Sequence, residues 1–129
     1  MLAIDTNIVV RYLVADDPVQ AAKARKLIDG NEVFVCTTVM LETDWVLRSV
    51  YDFPARQCAK ALADFCGLAS VTLEDPTSVA KALAWVAEGI DFADGLHLAK
   101  AEGCAAFISF DKEFASAANG LDGLKVRAP

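Results

Sequence analysis

A chain of 129 residues with 55% hydrophobic side chains suits one folded domain, which at this size buries roughly two-thirds of the surface its unfolded form exposes. Disorder and a need for disulfide staples are both excluded. The net charge of -6 argues against unaided tight binding to a nucleic-acid backbone, which relies on clustered Lys and Arg, although acids gathered around cations offset part of that charge locally. Cys36, Cys58, Cys66 and Cys104 form no C-x-x-C pair and have no histidine cluster around them, so no zinc or redox motif is suggested and they read as reduced core thiols. Asp5 interrupts the first apolar run too early for a signal peptide, and no uncharged run is long enough to span a bilayer. A soluble, cytoplasmic chain without a membrane partner is expected.

Residues 1–4 read as a strand that stops abruptly at Asp5, Thr6 and Asn7, before a short buried helix over residues 8–14. Asp16-Asp17-Pro18 ends it and caps a second helix running to about Asp29. There Val19, Ala22, Leu27 and Ile28 alternate with Lys23, Arg25 and Lys26, cations that form either a solvated face or a patch contacting a nucleic-acid backbone. Residues 32–36 read as a buried strand. Thr37-Thr38 should cap a helix over residues 39–47, with Glu42 one turn inside it. Residues 51–54 are a break, residues 55–66 an amphipathic helix stopped by Gly67, and residues 70–73 a short strand. Glu74-Asp75-Pro76 opens a helix carrying Val79, Ala82, Leu83 and Val86, with Gly89 as its stop. Asp91 caps a further helix to about Gly103, which puts Asp94 at its third position. Residues 105–109 look like the clearest buried strand of the C-terminal half, residues 116–120 like a surface loop or frayed helix end, and residues 124–127 like a last strand. Strands alternating with helices imply βαβ crossovers and a mainly parallel sheet covered on both faces, and the lack of linkers or repeats implies a single domain over residues 1–129.

Four acids fall where such a sheet gathers its strand ends. Asp5 follows the first strand, Glu42 follows the second by a turn, Asp94 opens the helix before a later strand, and Asp111 follows that strand. Open α/β sheets bind ligands at this edge. Carboxylates brought together without a counter-ion raise one another's pKa, so a cluster makes sense around a hard divalent cation such as Mg²⁺ or Mn²⁺, which prefers oxygen ligands. Such ions activate water and stabilise charge on a phosphodiester. Thr6, Asn7 and Ser109 would add neutral hydrogen-bonding groups. Against this stands the plain reading, in which acids at strand ends are helix caps and solvated surface.

The segments Ile4-Asp5-Thr6-Asn7, Leu41-Glu42, Asp91-Phe92-Ala93-Asp94-Gly95-Leu96-His97-Leu98-Ala99 and Ser109-Phe110-Asp111-Lys112-Glu113-Phe114 resemble, in order and spacing, the motifs of PIN-domain ribonucleases, especially the toxins of VapBC-type toxin–antitoxin pairs. The resemblance implies an α/β, three-layer PIN-like fold with a mainly parallel five-stranded sheet flanked by helices. It also implies Mg²⁺- or Mn²⁺-dependent endonucleolytic cleavage of RNA, a cognate antitoxin and a homodimer. Carried over to this chain, Asp5, Glu42, Asp94 and Asp111 are the catalytic acids. Asp5 and Asp94 are the direct metal ligands, while Glu42 and Asp111 act through waters or a second ion. Thr6, Asn7 and Ser109 support the pocket. Gly95 stands where such toxins often carry Ala, and Ser109 where Thr is frequent.

Two alternatives lie within the same family: an RNA-processing nuclease that is not a toxin, and a binding protein without catalysis. A phosphatase using Asp5 as nucleophile is disfavoured by Asn7 in the place of a second acid, and no G-x-G-x-x-G follows the first strand. Asp91 reads first as a helix cap and His97 as a hydrogen-bonded packing residue. Arg11 and Lys112 read as solvated or ion-paired cations before they read as phosphate contacts. Trp45, Val46, Tyr51 and Phe53 make an apolar set larger than one helix face needs, serving the core, a dimer or an antitoxin groove.

Overall fold

The first apolar run forms only a two-residue strand, β1 (Leu2–Ala3), because Asp5 immediately starts a helix. Its carboxylate accepts a hydrogen bond from the Ile8 N–H at 3.4 Å, so α1 spans Thr6–Leu13 and takes Thr6 and Asn7 into its first turn. The sequence placed those two residues in a loop ahead of the helix. The computed structural model describes all 129 residues as two compact units, Met1–Pro76 and Thr77–Pro129.

In the first unit, α2 (Pro18–Gly30) follows α1 and leads to β2 (Val33–Val35), and α3 (Thr37–Ser49) and α4 (Ala55–Cys66) lead to β3 (Val71–Leu73). The three strands are parallel in the order β1-β2-β3, with Val33 opposite both Leu2 and Val71. Parallel pairing requires crossovers, and each crossover here is a helix pair. β2 is the central strand, and its Val33 and Val35 are fully buried. α1 packs against α2 and α3, and α3 against α4. Asp17 caps α2 through the Gln20 N–H with Pro18 at the first position, as the sequence indicated. The buried stripe of α2 is Ala21, Ala24 and Ile28; Val19 falls outside that helical spacing and is exposed, as is Ala22.

α3 differs from expectation at its start. Thr37-Thr38 do not cap it; the Glu74 side chain accepts the Thr37 N–H at 2.8 Å instead, and the buried Thr37 hydroxyl has no hydrogen-bond partner. Its buried face is Met40, Thr43, Asp44 and Leu47, while Trp45 and Val50 are each 61% exposed. Asp44 is the one charged residue on that face. It is buried because Arg48, one turn on, donates to its Oδ2 at 2.9 Å and the Cys58 thiol of α4 donates to its Oδ1 at 3.2 Å. Burial, then the bond to Asp44, pushes the Cys58 thiol up to about 12. Of the four free cysteines only Cys58 is a fully buried core thiol; Cys36 and Cys66 are partly buried and Cys104 is exposed.

The second unit contains most of α5 (Pro76–Trp85), a 3₁₀ turn over Val86–Glu88, α6 (Phe92–Ala99), β4 (Phe107–Ile108), α7 (Lys112–Ala118) and β5 (Val126–Arg127). Gly89 ends the 3₁₀ turn in the left-handed conformation, at φ 84°, which fits its role as a stop. β4 and β5 pair in parallel as a separate two-stranded sheet, so the expected five-stranded sheet is not formed as one ladder. Ile90, Leu98, Phe114, Ala118, Leu124 and Val126 form the core, with Phe107 edge-on to Phe114 at 5.5 Å.

Three further expectations are corrected in this unit. α6 ends at Ala99, short of Gly103. Residues 105–109 are not a long buried strand: Cys104 and Ala105 are exposed, Ile108 is 47% exposed, and alanine has low strand propensity. Residues 116–118 are the end of a helix and not a surface loop: they close α7, whose signal is the Phe114 and Ala118 pair at helical spacing beneath an Asp111 cap. No helix in either unit is long and apolar enough to cross a membrane.

Candidate functional site

The acids singled out in the sequence fall into two sets, one in each unit. In the first, Asp5 sits exposed at the start of α1, and the next residue, Thr6, is buried. The Thr6 hydroxyl donates a hydrogen bond to Glu42 Oε1, so α1 and α3 are joined at these two candidate residues through a neutral donor. One Glu42 oxygen is thereby occupied and the other left available. Asp5 and Asn7 line one end of a cleft of about 530 Å³ between α1 and α2, with Ile8, Arg11, Gln20 and Lys23 among the other lining residues.

Arg11 is already engaged within that cleft. It donates to Asp16 at 2.9 Å, to Gln20 Oε1 at 2.7 Å and to the Tyr51 hydroxyl at 3.1 Å, and Tyr51 in turn donates to Asp16 at 3.0 Å. The Tyr51 bond is the largest influence raising the guanidinium pKa. Arg11 is thus the ion-paired cation that the sequence favoured. Gln20 and Tyr51 gave no sequence signal for this neighbourhood.

In the second unit, Asp94 lies at the third position of α6 and Asp91 caps that helix through the Ala93 N–H at 3.2 Å, as expected. Asp111 caps α7, accepting from the Phe114 N–H at 3.0 Å. The Ser109 hydroxyl accepts the Asp111 N–H at 3.0 Å, which leaves its own proton to donate. Asp94 is part-buried, and its pKa is raised chiefly by that burial, then by repulsion from Asp91, with a smaller push from Asp111; His97 opposes the shift. His97 is exposed rather than packed, since the buried face of α6 is Phe92, Gly95, Leu96, Leu98 and Ala99. Phe110, between Ser109 and Asp111, is 87% exposed.

Both sets are rich in carboxylate oxygens, and Asp94 is pushed up by two neighbouring acids more than His97 offsets, which is the donor chemistry of a hard divalent ion. No three His, Cys, Asp or Glu side chains are grouped so as to enclose an ion on their own.

The sequence matches the family described as PIN domain over residues 2–120. No curated protein matches the chain. PIN domains are generally nucleases that use divalent metals such as Mg²⁺.

Proposed function

The chain belongs to the PIN domain family, and from that premise we propose that it is a Mg²⁺- or Mn²⁺-dependent endoribonuclease and the toxin of a toxin–antitoxin pair. The observation that carries this reading is the bond from Thr6 to Glu42, which spends a buried hydroxyl on positioning a carboxylate beside the helix that Asp5 begins. Asp5 and Asp94 would ligate the ion directly, and Glu42 and Asp111 through water. A bound divalent ion would polarise the phosphodiester and lower the pKa of an attacking water. The chain's own groups do the rest. Asp5 and Asp111 sit at helix N-termini, where the macrodipole favours negative charge. Asn7 lines the cleft beside Asp5 and offers an amide to a phosphate oxygen, and Ser109 holds Asp111 through its backbone.

Phe110 supports a single-stranded substrate, because an exposed aromatic ring beside a catalytic acid offers any base a stacking face. Trp45 on α3 and Val50 at its C-terminal cap support an antitoxin that lays an apolar helix against them. Tyr51 leaves that apolar set, being bound to Arg11 and Asp16. We place the enzyme in the cytoplasm as a homodimer.

Purified, partner-free protein incubated with structured RNAs should cleave them in Mg²⁺ or Mn²⁺, and Asp5→Asn and Asp94→Asn should each abolish cleavage. Cleavage that survives both substitutions, or that ignores a chelator, overturns the assignment.

A further inference from the structure

The first unit has a second cleft, of about 460 Å³, lined by Lys23, Lys26, Leu27, Gly30 and Asn31. It shares Lys23 and Leu27 with the cleft that ends at Asp5 and Asn7. Gln20, Lys23, Leu27 and Asn31 follow one another at intervals of three or four residues, which places them on one side of α2, with Lys26 one turn from Lys23. The two clefts therefore read as one track along α2 that begins at a proposed metal ligand.

The three cations of α2 have separate roles. Arg25 lies over the Tyr12 ring at 4.8 Å and donates to the Tyr12 carbonyl at 3.1 Å, so it serves the fold. Lys23 and Lys26 are exposed and make no ion pair or side-chain hydrogen bond. Lys60, by contrast, is bound to Asp64 at 2.9 Å, and Lys81 to Asp122 at 3.1 Å. Asp29 is on the same helix but lines neither cleft. Two adjacent, unneutralised lysines over a concave surface, in a chain of net charge -6, are complementary to a polyanion. Leu27 between them supplies apolar surface for sugar rings.

We propose that this side of α2 is the track for single-stranded RNA leading to Asp5, with Lys23 and Lys26 on successive backbone phosphates. The proposal rests on the nuclease reading above, and its test separates the two. Asp94→Asn protein, which binds without cutting, is titrated with a fluorescein-labelled single-stranded RNA of mixed sequence across about 50 to 200 mM salt. Adding Lys23→Ala and Lys26→Ala together should weaken binding by about tenfold or more and lower the slope of log K against log salt by about 1.4, the counterion release of two single-strand phosphates. Lys60→Ala should change neither.

Unchanged affinity and slope in the double lysine variant overturn the track, even where wild-type protein cleaves RNA and the nuclease reading stands. Lysine-dependent binding by a wild-type protein that cuts no RNA in any metal supports the track and overturns the nuclease reading. Competition by polyglutamate as strong as by unlabelled RNA, with the same lysine dependence, overturns the track in favour of an acidic protein partner.

Discussion

Gly95 lies directly against Ala82: a Cβ placed on Gly95 would stand 3.1 Å from the Ala82 Cα and 3.2 Å from its Cβ. The glycine lets α6 approach α5 at the residue after Asp94. Gly95→Ala should gain about 1 kcal/mol of helix propensity. Crowding against backbone costs about 1–3 kcal/mol, because Ala82 is fully buried and cannot swing away. A net loss of about 1 kcal/mol is the expected result in urea melts, with a fall in kcat from the displaced Asp94. A raised melting midpoint would show instead that α5 yields.

Thr6→Val keeps the shape of the buried side chain and removes the proton given to Glu42. A hydrogen bond to a charged group contributes about 1.5–3 kcal/mol, partly recovered here because the exposed Glu42 regains water. Chemical denaturation should register a loss of about 1 kcal/mol. Cleavage should fall more steeply in kcat than in KM, and Thr6→Ser should restore both.

Asp94 sets a pH dependence. Its folded-state pKa lies above the ordinary value of 3.8, so the folded form holds the proton more tightly than the unfolded chain does. The resulting stability is fully present below the ordinary carboxylate range and is lost as pH rises through the raised folded value. At neutral pH without metal, Asp94→Asn should therefore raise Tm, by only about 2 °C given solvent screening. Mg²⁺ should raise the wild-type Tm and leave that of Asp94→Asn nearly unmoved, and chelator should reverse the wild-type gain.

These carboxylates show how far the sequence could be read. Asp17 and Asp91 are legible as caps because an acid ahead of an apolar helical spacing has one common use, whereas Asp111 reads only as the residue after a strand and the short helix it caps is missed. The parallel strands were legible through their Val-rich runs and helical crossovers. Asp44 was not, because nothing local distinguishes a buried acid from a solvated one; its place depends on Arg48 one turn on and on Cys58 from another helix. β4 is shorter than the apolar run suggests because Ala105 and Ala106 count as apolar but do not favour a strand. His97 reads as a hydrogen-bonded packing residue because its neighbours are Leu and Ala, yet it lies off the buried stripe of α6 and is exposed.

The buried Asp44 gives a further prediction. Arg48→Met leaves a carboxylate with 5% side-chain exposure facing only a thiol, and should cost about 3 kcal/mol. Replacing Asp44 with Leu in the same chain should recover most of that loss. In the wild type, iodoacetamide at pH 8 should label exposed Cys104 rapidly and reach Cys58, whose thiol is pushed up to about 12, only after unfolding.

Asp5, Asp91 and Asp111 each accept an amide proton from their own helix, at Ile8, Ala93 and Phe114. Without an ion, each amide is a partial counter-charge to its own carboxylate. A cation that draws on any one of these carboxylates must share it with its helix end, so occupancy and fraying of that first turn are thermodynamically linked. Hydrogen exchange at those three amides thus becomes a gauge of loading, readable in solution before any RNA is added.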